Sequence, residues 1–169
     1  MWSLRPWPVV VRLGNQEMVI PALPAADWLA VLMQEDLWPE DVFPGLCGPA
    51  VVDLVDELVN SGEVNLDDLA DVSLDVLEAA ASRSWWVALR LITVCRQNWA
   101  TIGAELLLDG VDASRLSLSG WLDVATLVIM RRIKPESALM FTSQLEAPPA
   151  GEEAVEVQAI SAQEFLSMA

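Results

Sequence analysis

The chain contains no histidine. That absence removes Ser-His-Asp and Cys-His nucleophile pairs, histidine-ligated zinc and the commonest general base. Cysteine is nearly as scarce. Cys47 and Cys95 form no C-x-x-C and sit beside apolar residues, which is the setting of buried, reduced thiols. Bases are missing over a long stretch: between Arg12 and Arg83 there is no Lys or Arg, while the same segment carries fifteen Asp and Glu from Glu17 to Glu78. A long apolar run is missing too. The best, Trp85 to Cys95, is interrupted by Arg90 and is far too short to span a bilayer. Met1 to Pro8 has no apolar segment of the length a secretory signal needs, so the expectation is a soluble, intracellular protein.

What is present is apolar mass and negative charge. The 169 residues are 54% hydrophobic with a net charge of −16 and a pI near 4.1. That is enough apolar material for one sizeable core. The charge opposes any partner recognised by phosphate neutralisation, so neither nucleic acid nor an anionic membrane is expected. The charge is also segregated. After the base-free block, Arg83, Arg90, Arg96, Arg115, Arg131, Arg132 and Lys134 face only Glu105, Asp109, Asp112 and Asp123, and beyond Lys134 the chain is acidic again. Opposite blocks of this kind predict pairing of the Arg83 to Lys134 region with the acidic block, within one molecule or across a second copy.

The pattern predicts a mainly α protein, with an N-terminal β-hairpin (about residues 7–21) packed on a compact multi-helix domain over 1–145. A Pro/Gly/Glu-rich linker and short tail follow over 146–169. Val9 to Leu13 and Gln16 to Ile20 flank Gly14-Asn15, a two-residue hairpin connection. Ala25 to Met33 reads as a short helix, and Glu40 to Gly48, rich in turn formers, as an irregular connection. Pro49 opens a helix with Val51, Leu54, Val55 and Leu58 on one face and Asp53, Asp56 and Glu57 on the other. Asn65 and Ser73 are predicted to cap two short helices, Leu66 to Ala70 and Leu74 to Ala81, with Asp67, Asp68 and Asp75 as first-turn acids. Trp85 to Gln97 is apolar nearly all round and should be central. Trp99 to Leu108, a stripe of Leu118, Trp121, Leu122, Ala125, Val128 and Ile129, and Glu136 to Leu145 supply the remaining helices.

No spacing of residues suggests chemistry. Asp67, Asp68 and Asp71 lack the alternation, glycine and closing glutamate of a calcium loop, and Gly45 to Gly48 lacks the lysine of a phosphate loop. The expectation is therefore no catalytic residue, no metal and no cofactor. Eight tryptophans are the more informative feature, since Trp serves both cores and interface anchors. Adjacent helical residues lie about 100° apart, so Trp85 and Trp86 cannot both face one core. They, Arg90 and Trp99, together with Phe165 and Leu166 in the tail, are the candidate partner-binding residues.

Three stretches also carry a resemblance: Ile20-Pro-Ala-Leu-Pro-Ala-Ala-Asp-Trp-Leu29 after the hairpin, Arg83-Ser-Trp-Trp-Val-Ala-Leu-Arg-Leu-Ile92, and Gly110 to Asp123. Together they resemble tail assembly chaperones of long-tailed phages that infect actinobacteria, over most of Val9 to Leu145. The resemblance implies a small helical, non-enzymatic protein of the host cytoplasm that binds the tape measure protein, or other tail proteins, during assembly. It also implies a longer form made by ribosomal frameshifting. Two other readings fit the composition: a structural virion adaptor of the neck or tail terminator, and an acidic mimic of DNA.

Overall fold

The structure is a computed structural model that describes residues 9–149. Strands β1 (Val9–Leu13) and β2 (Gln16–Ile20) form an antiparallel hairpin in which Val9 faces Ile20 and Leu13 faces Gln16. Gly14 has φ +56°, the backbone a primed two-residue turn demands at its first position. Alternation places Val11, Leu13 and Ile20 in the core and leaves Val10 and Val19 exposed. The inward face lies against the helices, as a two-stranded ribbon must to be stable.

Eight helices are present among the described residues: α1 (Ala25–Leu32), α2 (Pro39–Cys47), α3 (Pro49–Ser61), α4 (Leu66–Ala81), α5 (Trp85–Gln97), α6 (Trp99–Leu108), α7 (Leu118–Arg132) and α8 (Pro135–Glu146). One contiguous core joins them, with Trp28, Phe43, Trp121 and Phe141 as its largest fully buried side chains. Helices α4, α5 and α7 pack on one another at the centre, with α2 laid along α4 and α8 along α5. The predicted stripe of Leu118, Trp121, Leu122, Ala125, Val128 and Ile129 is buried in full. No helix is long and apolar enough to cross a membrane among the described residues. The tail with Phe165 and Leu166 lies outside them.

Two expected boundaries are corrected. Of the expected irregular stretch Glu40 to Gly48, all but Gly48 is helical and forms most of α2. Pro39 occupies the first turn, where a missing N–H costs nothing, and the breaker effect of Pro44 is offset by burial of Val42 and Phe43 against α4. Gly45 permits close contact with α1, since a Cβ there would lie 3.1 Å from a methyl of Val31. Tertiary packing thus overrides weak local propensity.

The two short helices expected over Leu66 to Ala81 are one continuous helix. Asn65 caps it, accepting from the Asp68 amide at 2.7 Å. Ser73 caps nothing: it is fully buried, and its Oγ accepts the Phe43 N–H at 3.2 Å. Asp75 accordingly stands in mid-helix rather than in a first turn.

Helix ends elsewhere are satisfied by distant parts of the chain. The Ala25 and Ala26 amides opening α1 donate to the carbonyls of Leu116 and Ala113. The Arg96 guanidinium donates to the carbonyl of Gln34, just after that helix. These long-range caps tie the α6–α7 loop and α5 to α1 without any side chain at the local cap position.

Candidate functional site

The sequence points first to the Trp85–Trp86 pair. Helix α4 ends at Ser82, a non-glycine residue at φ +54°, and the chain turns directly into α5. Ser84 makes no side-chain cap; instead Glu78 of α4 accepts the Trp85 N–H at 3.3 Å, a carboxylate at the positive end of the next helix. The two indoles meet edge to face with centroids 5.6 Å apart and planes at 88°. Both are half-buried. Trp86 reaches the last turn of α8, where its Nε1–H donates to the Glu146 carbonyl at 3.4 Å.

Arg90 lies one turn along α5 and joins the same contact. Its Nη1 donates to the carbonyls of Gln144 at 2.8 Å and Leu145 at 3.0 Å, and also to Ala147. These are the orphan acceptors at the negative end of α8. Of the sequence-nominated residues, Trp86 and Arg90 are therefore brought together as a clasp on α8, and Trp85 stacks beside them. The second element that the 100° spacing calls for is α8, which Trp86 meets.

Trp99 is placed differently. It is 45% exposed at the start of α6, with its indole flat on its own helix, because a Cβ on Gly103 would fall 2.7 Å from the ring. Leu107, on the same side at i+8, is 75% exposed, and Leu108 is 86% exposed. On α8, Leu139 is 83% exposed. Large apolar side chains thus break the surface at several points.

Helices of the two charge blocks pack together, α4 on α5 and α7, but the salt bridges expected between the blocks within one molecule are not formed among the described residues. Arg83 pairs with Asp123, Arg131 with Asp109 at 2.9 Å, and Arg132 with Glu105. Every one of these carboxylates belongs to the same stretch of chain as its arginine. Their registers explain it: α6 and α7 are neighbours, so Glu105 and Asp109 meet Arg132 and Arg131 before any remote acid can. Arg12 pairs with its cross-strand partner Glu17 at 3.1 Å. Among the described residues, no carboxylate from Asp27 to Glu78 has a salt-bridge partner.

Within that unpaired block, α2, α3 and the start of α4 enclose a groove of about 170 Å³. Val52, Val55 and Val59, at i, i+3 and i+7 on α3, line one wall, with Pro44 of α2 and Leu66 and Leu69 of α4 opposite. Glu40, Asp41 and Asp56 form its edge. Sequence reasoning missed this feature. The signal was Val52, an apolar residue beside the core-facing positions of α3 that the core leaves exposed.

The groups with shifted protonation are explained by burial and local hydrogen bonds. Cys95 is fully buried, and desolvation pushes its thiol up to about 12. Cys47 is half-buried with its thiol raised for the same reason. Asp112 is held below the ordinary carboxylate range because the Ser114 hydroxyl and amide both donate to it, a local turn. Among the described residues no group of three or more His, Cys, Asp or Glu side chains is placed to hold a metal ion. Comparison with protein families, curated proteins and solved structures finds no match to this chain.

Proposed function

We propose that this protein is a non-enzymatic tail assembly chaperone that binds a tape measure protein and keeps it soluble until the tail is built. The observation that supports this reading best is the presence, together, of exposed large apolar side chains and a carboxylate block, Asp27 to Glu78, with no salt bridge among the described residues. A holdase needs both. Apolar anchors capture a long helical client, and like-charge repulsion between acidic copies keeps the carrier itself from associating. The resemblance in the Ile20–Leu29, Arg83–Ile92 and Gly110–Asp123 stretches is what suggests a tape measure protein as the client.

Affinity co-purification tests the reading. Tagged full-length protein, co-expressed with a phage tape measure protein, should elute as a complex that survives 0.5 M salt, roughly the range in which exposed charge pairs are screened. A complex lost at that salt would favour an acidic mimic instead. Recovery of the protein as a stoichiometric component of purified particles would favour a virion adaptor.

A further inference from the structure

We infer that the groove between α2, α3 and α4 is the client-binding site, and that it takes an amphipathic helix whose apolar face is bordered by lysine or arginine. This rests on the chaperone reading and names the kind of segment recognised. The wall that α3 gives the groove is only partly covered by the fold. Helix α3 packs chiefly on α2, and only Val55 and Leu58 are buried on it. Val52 is exposed and Val59 half-buried, although both share the groove wall with Val55. The exposed Val52 on this wall and Leu66 across from it leave apolar surface that an incoming helix can cover.

Size is the second argument. Cavities that enclose small molecules run to roughly 300–1,000 Å³, well above the 170 Å³ found here. The groove suits one or two aliphatic side chains inserted from a passing helix. Leu66, 52% exposed at its lip, extends the apolar contact outward.

Charge selects among helices. The edge carries Glu40, Asp41 and Asp56, with Asp53 and Glu57 exposed on the neighbouring face of α3. No base lies anywhere between Arg12 and Arg83, and none of these carboxylates is in a salt bridge among the described residues. No base among the described residues completes this edge, so a partner helix bordered by cations matches it. A helix flanked by acids would be repelled, and a helix with no charge would leave the edge unmatched.

The probe is a synthetic helical peptide with leucine at i, i+3, i+4 and i+7 and lysine elsewhere, titrated into the 15N-labelled full-length protein. The expected shifts centre on the amides of Val52, Val55, Val59 and Leu69. The doubly charge-reversed variant Asp41→Lys/Asp56→Lys, whose two sites are exposed, should bind roughly tenfold or more weakly. The doubly charge-reversed control Glu35→Lys/Glu136→Lys, exposed and outside the groove, should bind as the parent does. Shifts centred on α6 or α8, or equal affinity for a glutamate version of the peptide, would overturn the inference. Failure here is distinguishable from failure of the chaperone reading. If the Asp41→Lys/Asp56→Lys protein still holds the tape measure protein in solution as well as the parent, the groove is refuted while the function stands.

Discussion

Replacing Arg90 with methionine keeps the aliphatic stem and removes the guanidinium that closes α8. In the native protein one nitrogen of that group serves the carbonyls of Gln144, Leu145 and Ala147, acceptors with no partner inside their own helix. A hydrogen bond to a charged group contributes about 1.5–3 kcal/mol when buried, and a cation at a helix C-terminus about 0.3–1 kcal/mol when exposed. Arg90 is half-buried, and the freed carbonyls regain some hydration, so a net loss of about 2 kcal/mol is expected. At this chain length that lowers Tm by roughly 4–8 °C. Arg90→Lys, with a single ammonium in place of the fork, should recover part of the loss.

The assay is urea denaturation of parent and variants, followed by amide hydrogen exchange. Exchange should speed up in Ala138 to Glu146, the helix the clasp secures, and much less in α3 or α7. A change in stability below about 0.3 kcal/mol, with unaltered exchange in α8, would refute the clasp. Arg90 would then be free for the partner contact that its sequence position beside Trp86 suggested.

Other predictions follow from single contacts. Ser73→Ala leaves the buried Phe43 N–H without its Oγ acceptor and should cost about 1–2 kcal/mol by urea denaturation; a neutral result would mean that α2 does not depend on this bond. Ser82→Gly relieves a left-handed backbone at φ +54° and should stabilise by up to roughly 1 kcal/mol, with destabilisation as the contrary result. The Cys95 thiol ionises at about 12 when folded against an ordinary value of 9.0. Its folded pKa is raised, so the neutral thiol stabilises the fold fully below 9.0, and that contribution is lost as pH rises towards 12. Stability of the parent should therefore fall more steeply than that of Cys95→Ala across this range, by at most about 1.4 kcal/mol per pH unit; parallel curves would contradict it.

The parts of the fold legible in the sequence were those whose signal is local and redundant. Gly14-Asn15 between alternating strands identifies the hairpin, and repeated apolar positions in Trp85 to Gln97 and Leu118 to Ile129 identify α5 and α7. Legibility ended where a distant residue decides the outcome. Pro44 and Gly45 read as breakers until Ser73, thirty positions away, supplies the Phe43 amide with an acceptor and α4 buries the helix. Ser73 itself resembled a cap because a hydroxyl in front of apolar residues looks the same whether it faces its own helix or another.

Charge misled for a related reason. Opposite blocks attract in principle, but Arg131 and Arg132 find Asp109 and Glu105 on the adjoining helix, and Arg83 finds Asp123. Close geometry outweighs a larger but more remote field. Of the candidate site, the Trp85–Trp86–Arg90 cluster was legible as a cluster, though not that α8 would cover it. The α3 groove was hidden because the core-facing stripe of the helix accounts for Val55 alone, and Val52 reads as a single exposed apolar residue.

The central claim is that this protein holds an aggregation-prone tail protein in solution. Its most direct test is the fraction of the tape measure protein left in the supernatant after high-speed centrifugation, with and without the full-length chain co-expressed. The account predicts that the client is largely pelleted alone and largely soluble, in complex, when this protein is present. A client that pellets equally in both cases, with this protein alone in the supernatant, would contradict it.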